Sequence, residues 1–251
     1  LSLAGPANKQ GRIAADNICG GDSHYTGSQG SSVIKVFDMT AATTGVNETN
    51  AKKAGLDVDT VILSPMSHAG YYPGGKVMTM KVVFEKETYR LLGAQIVGYE
   101  GVDKRIDVLA TAIRAGLKAT ELKDLDLAYA PPYSSAKDPV NMAGFMIENI
   151  AKGVLKQWHL ADALPRDGSV TLLDTRTVGE FDGGHIDGFL NIPVDELRER
   201  LGELDKSKPV YVICQSGLRS YIACRILAGN RFECYNFSGG FRFYDAVMHD
   251  R

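Results

Sequence analysis

Runs of β-branched, apolar residues alternate along this chain with stretches whose apolar positions recur at helical spacing, and the layout changes near residue 156. "SSVIKVFD" (Ser31–Asp38) and "DTVILSP" (Asp59–Pro65) have the composition of strands. Between them "ETNAKKAG" (Glu48–Gly55) reads as a short helix stopped by Gly55. "KVMTMKVVFEK" and "RLLGAQIVGY", separated by the turn-like Glu87-Thr88-Tyr89, suit an antiparallel hairpin. Ile106, Leu109, Ala110, Ile113 and Leu117 fall on one helical face, which predicts a helix laid on that sheet. Pro139 can open a second helix that ends near Gly153. The expected first unit is therefore α+β, one sheet with helices on one face.

Around "KQWHLADALPRDGS" (residues 156–169) the composition shifts. From there strands and helices alternate: strand "SVTLLD", helix near "TVGEF", helix "VDELRERLGEL", strand "KPVYVICQ", helix "GLRSYIACRILAG", strand "FECYNF", and a last helix after "SGG". This order predicts an α/β unit with a mostly parallel sheet covered on both faces. No internal repeat interrupts either unit.

Bulk composition narrows the function classes. With 251 residues, 44% apolar and 23% charged, the chain has the make-up of a globular protein of one or two domains. A formal net charge of -2 gives no bulk attraction to nucleic acid or to an anionic membrane. No apolar run reaches the roughly 20 residues that span a bilayer. Cys19, Cys214, Cys224 and Cys234 form no C-x-x-C pair, which argues against a zinc site or a dithiol redox motif and for a reducing, cytoplasmic setting with free thiols. The chain opens on "LSLAGPANKQGR" without a methionine, like the approach to a helix inside a larger domain, so a longer parent protein is expected.

The chemistry concentrates in "YVICQSGLRS", Tyr211–Ser220. A strand delivers Cys214 into a short polar loop, and a helix begins within a few residues. This arrangement suits either a half-buried cysteine in a turn or a nucleophile held in an anion-binding loop. Backbone N–H groups of Gln215, Ser216, Gly217, Leu218 and Ser220 would point inward, and the helix N-terminus adds partial positive charge. Gly217 permits the tight turn and Arg219 adds a fixed cation. These features favour the thiolate and make Cys214 and Arg219 the candidate catalytic pair. Cysteine phosphatases place five residues between Cys and Arg; here there are four, a tighter loop suited to a single terminal sulfur.

"LLDTRTVGEFDGGHIDGFLNIPVDELRERL" followed by "YVICQSGLRSYIACRILAGNRFECYNFSGGF" resembles a rhodanese-family sulfurtransferase domain, through Asp174, Arg176, Glu180, Gly184-His185-Ile186, Gly188, Asn191-Ile192-Pro193, Cys214, Gly217, Arg219, Ser220 and Gly239-Gly240. The resemblance implies a persulfide on Cys214. Asp174, Arg176 and His185 read as structural, the histidine as a buried hydrogen-bonding group, and Cys224 and Cys234 as core residues. "LAGPANKQGRIAADNICG" and "YAPPYSSAKDPVNMAGF" resemble the flavin-dependent disulfide reductases of the coenzyme A disulfide reductase type, which also occur fused to rhodanese domains as persulfide reductases.

The combined resemblance implies a remnant of a flavin-binding domain over 1–30, a dimerisation domain over 31–155 and a rhodanese-like domain over 161–251. It implies FAD and NAD(P)H as cofactors of the parent protein, with Pro6, Ala7 and Asn8 near the flavin. It also implies a homodimer in which Tyr71 and Tyr129, with Tyr72 and Tyr133 behind them, approach the partner's coenzyme A and redox cysteine. The expected substrates are small-molecule persulfides, coenzyme A or thiosulfate. No G-x-G-x-x-G fingerprint follows a strand anywhere in the chain, so this chain by itself is expected to hold no flavin and to retain only sulfurtransferase chemistry. The competing expectation is a dimerisation and docking module without chemistry.

Overall fold

The structure is a computed structural model that describes residues 3–249. It begins with helix α1 (Ala4–Ile18), none of whose residues is buried. The first sheet has the order β1-β2-β5-β4-β3, built from β1 (Ser32–Val36), β2 (Met39–Gly45), β3 (Val58–Leu63), β4 (Met78–Glu85) and β5 (Leu91–Gly98), all antiparallel. Helices α3 (Val102–Ala115) and α4 (Pro139–Ala151) cover one face. The alternation of β4 explains the core: Met78, Met80, Val82 and Phe84 point to that face and meet Ile106, Leu109, Val140 and Ile147.

Three expectations for this unit need correction or completion. Helix α2 (Glu48–Lys53) lies on the opposite face, where Ala51 packs on Val58, Val83 and Leu92, so the helices are not all on one side. The strand expected over residues 31–38 ends at Val36, and Phe37-Asp38 turn the chain into β2, Phe37 in a left-handed conformation (φ 51°). Strand β2 is made of small residues and threonines, "MTAATTG", and has no long apolar side chain beyond Met39 to announce it.

The second sheet is parallel throughout, in the order β6-β10-β9-β7-β8: β6 (Gln157–Trp158), β7 (Thr171–Asp174), β8 (Leu190–Asn191), β9 (Val210–Ile213) and β10 (Cys234–Phe237). Val210 and Val212 face helix α6 (Leu218–Gly229), while Ile213, Leu172 and Phe237 face α7 (Gly240–His249) and the short α5 (Val178–Asp182). The helix expected over "VDELRERLGEL" forms as consecutive turns and a short 3₁₀ segment, Leu201–Glu203. Its bonds are mostly i→i−3, as in Glu196 N–H to Pro193, with an i→i−4 bond from Arg200 N–H to Glu196. That irregular path still brings Val194, Leu197 and Leu204 into the core.

The two units meet along strand β3, the edge of the first sheet. The amide of Ile62 donates to Ser238 Oγ (3.0 Å), and Gln157 Nε2 donates to the Thr60 carbonyl (2.8 Å). Asp59 accepts from Gln157 Nε2 (3.1 Å) and pairs with His159 Nε2 (3.0 Å).

Candidate active site

Strand β9 is flanked on both sides, by β7 and β10, so its C-terminal end is fixed laterally. Cys214 follows directly and is fully buried. Two donors converge on its sulfur: the Gly217 N–H at 3.2 Å and the Ser220 hydroxyl at 3.2 Å. That hydroxyl is equally close to the Gly217 carbonyl and has one proton to give. A thiolate or a terminal persulfide sulfur would draw it to the sulfur.

Two glycines make the loop possible. Gly217 caps α6 with φ 95°, the left-handed conformation that frees its N–H to face Cys214. Gly240 opens α7 at φ 71°, and a Cβ there would lie 2.7 Å from the backbone of Gln215 and Ser216. The tight approach lets Phe241 N–H donate to the Cys214 carbonyl (2.7 Å) and Arg242 N–H to that of Gln215 (3.1 Å). Asn236 Nδ2 holds the Gly217 carbonyl at 3.3 Å. Two helix N-termini, those of α6 and α7, therefore bracket one cysteine.

Arg219 is paired with an acidic side chain. Its guanidinium makes a bidentate bond with the Glu180 carboxylate, 2.7 Å at each nitrogen, and makes no hydrogen bond to the Cys214 sulfur among the described residues. The pairing holds the Glu180 carboxyl down to about 2. Glu180 also accepts from Thr177 N–H (2.9 Å), closing a capping box at the start of α5. Arg219 thus ties the loop's following helix to α5. Below it Arg176 and Asp174, both buried, bond at 2.7 Å; Arg176 also reaches the Gly184 carbonyl and stacks on Phe241. His185 is not the buried histidine expected: it is exposed and stacks on Phe181, with ring centroids 3.9 Å apart. Leu218 is exposed, at the mouth of the loop, while Ser220 is buried. Cys224 and Cys234 sit in the core, and hydrogen bonding to Cys234 together with burial pushes the Cys224 thiol well above the usual range.

The tyrosines form a separate cluster on the first unit. The Tyr71 and Tyr129 hydroxyls are 2.8 Å apart and both side chains are exposed. Sequence reasoning missed what holds them. Arg105, 1% exposed, bonds Asp138 (2.9 Å), the Ser67 carbonyl (2.8 Å) and Ser134 Oγ, tying together the two loops that carry the tyrosines. Its place on the apolar stripe of α3, beside Ile106 and one turn before Leu109, was the available signal. Tyr72 packs edge-on to His68, and Tyr133 is exposed, its carbonyl near Arg105. Pro6, Ala7 and Asn8 lie on the first turns of α1; among the described residues no hydrogen bond joins them to either cluster.

Residues 31–139 match the family "Pyridine nucleotide-disulphide oxidoreductase, dimerisation domain", and residues 158–246 match "Rhodanese-like domain". A coenzyme A disulfide reductase of Staphylococcus epidermidis is 39% identical over 146 residues, 58% of this chain and 33% of that protein. Among solved structures, the reduced CoADR-RHD of Bacillus anthracis superposes over 99% of this chain and 45% of its own at 46% identity and a TM-score of 0.94. A NAD-dependent persulfide reductase from A. fulgidus covers 95% of this chain and 43% of its own at 42% identity and a TM-score of 0.86. The chain spans about a third of the length of the curated relative and under half of the solved ones.

Proposed function

We propose that this chain, which joins a pyridine nucleotide-disulphide oxidoreductase dimerisation domain to a rhodanese-like domain, carries sulfane sulfur on Cys214 as part of a flavoprotein persulfide or coenzyme A disulfide reductase. The observation that carries this reading is the convergence of the Gly217 N–H and the Ser220 hydroxyl on a buried sulfur at the end of β9.

In the first step the Cys214 thiolate attacks the outer sulfur of a persulfide R–S–SH. A new S–S bond forms on Cys214, the old one breaks, and R–S⁻ leaves; with thiosulfate the leaving group is sulfite. The exchange is balanced without an added oxidant or reductant. The loop donors stabilise negative charge on the attacking sulfur and then on the terminal persulfide sulfur. Arg219 acts in this scheme as a positioning residue through its bond to Glu180, and its charge also interacts with Cys214.

The first unit supports the reductase half. Its dimerisation-domain match favours a homodimer, in which the exposed Tyr71–Tyr129 pair would meet the partner's coenzyme A and redox cysteine. FAD and NAD(P)H would supply, when bound, the electrons that release sulfide. Pro6, Ala7 and Asn8 would form one wall of such a site, on the first turns of α1, none of which is buried. A reducing cytoplasm completes this reading.

The test is intact-mass analysis of the chain and its Cys214→Ser variant after exposure to a persulfide donor. A gain of one sulfur atom on the unsubstituted chain alone supports the reading. No gain from any donor overturns it.

A further inference from the structure

Strand β10 carries a polar side chain where its pleat calls for an apolar one. Cys234 and Asn236 point to the same face, toward α6, and Cys234 there belongs to the core. Asn236 is 2% exposed, and its backbone is held between β6 and β9, with its N–H on the Lys156 carbonyl (2.9 Å). Its side chain reaches the Gly217 carbonyl, which accepts from Nδ2 at 3.3 Å. A carbonyl oxygen can only accept, so it fixes which end of the amide faces it. The other end, Oδ1, is buried with no partner among the described residues. An acceptor stranded in this way costs stability, and a leucine, with the same branching, would not incur that cost.

The Gly217 carbonyl has a second donor. Tyr221 N–H closes the first turn of α6 on it at 3.1 Å. A carbonyl oxygen has two lone pairs, and these two donors use both. Ser220 is then a third donor to the same oxygen (3.2 Å), with the Cys214 sulfur an equal distance away. The acceptor left open to its single proton is the sulfur. Without the asparagine amide a lone pair on Gly217 falls free. The serine hydroxyl would take it, in the way hydroxyls near a helix start bond back to their own backbone.

We propose that Asn236 is a positioning residue for sulfur transfer: by filling the Gly217 carbonyl it turns the Ser220 hydroxyl onto Cys214. Its effect on rate rests on the reading of Cys214 as a sulfur carrier, whereas the direction of the hydroxyl does not. The stranded Oδ1 is the counterpart of this role, since a side chain kept for its donor leaves its acceptor behind. Function and stability therefore pull apart at this position.

The experiment compares the whole chain with Asn236→Leu, Ser220→Ala and the double variant. Sulfur loading of Cys214 from glutathione persulfide is followed by intact mass. The S–H stretching band of Cys214 is followed by Raman spectroscopy, identified by its loss in Cys214→Ser. Asn236→Leu is expected to slow loading about 5- to 10-fold, and less than about twofold further once Ser220 is already alanine. Its S–H band should move to the position seen in Ser220→Ala. Its urea midpoint should be no lower than that of the unsubstituted chain, which shows that the slowing does not come from a damaged fold. Equal slowing in both Ser220 backgrounds, or an S–H band that Asn236→Leu leaves in place, overturns the inference. If the persulfide loads none of the chains, the sulfur-carrier reading fails, and the S–H band alone decides the role of Asn236.

Discussion

Arg219 and Glu180, 39 residues apart, share two parallel hydrogen bonds of 2.7 Å each, so the helix that follows the Cys214 loop is tied to α5. The fork of a guanidinium matches a carboxylate in a way an ammonium does not. Arg219→Lys is therefore expected to behave like Arg219→Ala, each slowing sulfur loading of Cys214 about tenfold through loss of the tether. In a double-mutant cycle with Glu180→Ala, stopped-flow rates of loading should be strongly non-additive. Additive losses would mean that Arg219 acts on the sulfur independently of Glu180.

The same pair sets an acid limit. Glu180 is depressed to about 2 in the folded chain, below the roughly 4.3 of a free glutamate. A depressed carboxylate contributes stability that is full above its unfolded value and is lost as pH falls through its folded one. The difference in thermal midpoint between the chain and its Glu180→Gln variant should be constant above about pH 4.5 and vanish toward about pH 2. A difference that persists unchanged at the acid end would show that the charge is not what holds α5 to α6.

Ser220 offers a sharper probe of the sulfur. Its hydroxyl can serve Cys214 or Gly217, and Ser220→Ala removes it without adding bulk. Loading of Cys214 should slow about tenfold, the scale of one hydrogen bond to a charged group. Cys224→Ala, by contrast, should load normally, because that thiol is buried and held protonated. Intact-mass kinetics on both variants checks the pair of expectations.

Arg105 and Asp138 are both almost fully buried, with side chains 1% and 3% exposed. Removing one partner strands the other charge, so Arg105→Met is expected to destabilise the first unit by about 3–5 kcal/mol in urea unfolding. It should also free the Tyr71 and Tyr129 loops, seen as faster hydrogen exchange at Ala69, whose N–H donates to the Ser134 carbonyl. A loss below about 1 kcal/mol would place the pair among surface-like ion pairs.

The legibility of the sequence tracked how much of each element's order is local. Val61 and Ile62, or Val210, Val212 and Ile213, announce buried strands because β-branched side chains recur within a few residues. Strands β6 and β8 have two residues each and cannot display an alternation at all. The turns over residues 194–204 kept the apolar spacing of a helix, and the core contacts of Val194, Leu197 and Leu204 were satisfied without one. At the site, Cys214 and Gly217 were readable from the strand–loop–helix order. The Glu180 tether, the Asn236 brace and the approach of Gly240 were not, because each joins residues far apart in sequence.

The contact along β3 has a further consequence. An edge strand carries a row of backbone donors and acceptors that any other strand can pair with. Here Ser238 and Gln157 occupy the Ile62 amide and the Thr60 carbonyl of that row. The rhodanese-like unit thus acts as a lid on the open side of its neighbour's sheet. A chain cut after residue 155 would bare the Ile62 amide and the Thr60 carbonyl of β3, and is expected to self-associate edge to edge.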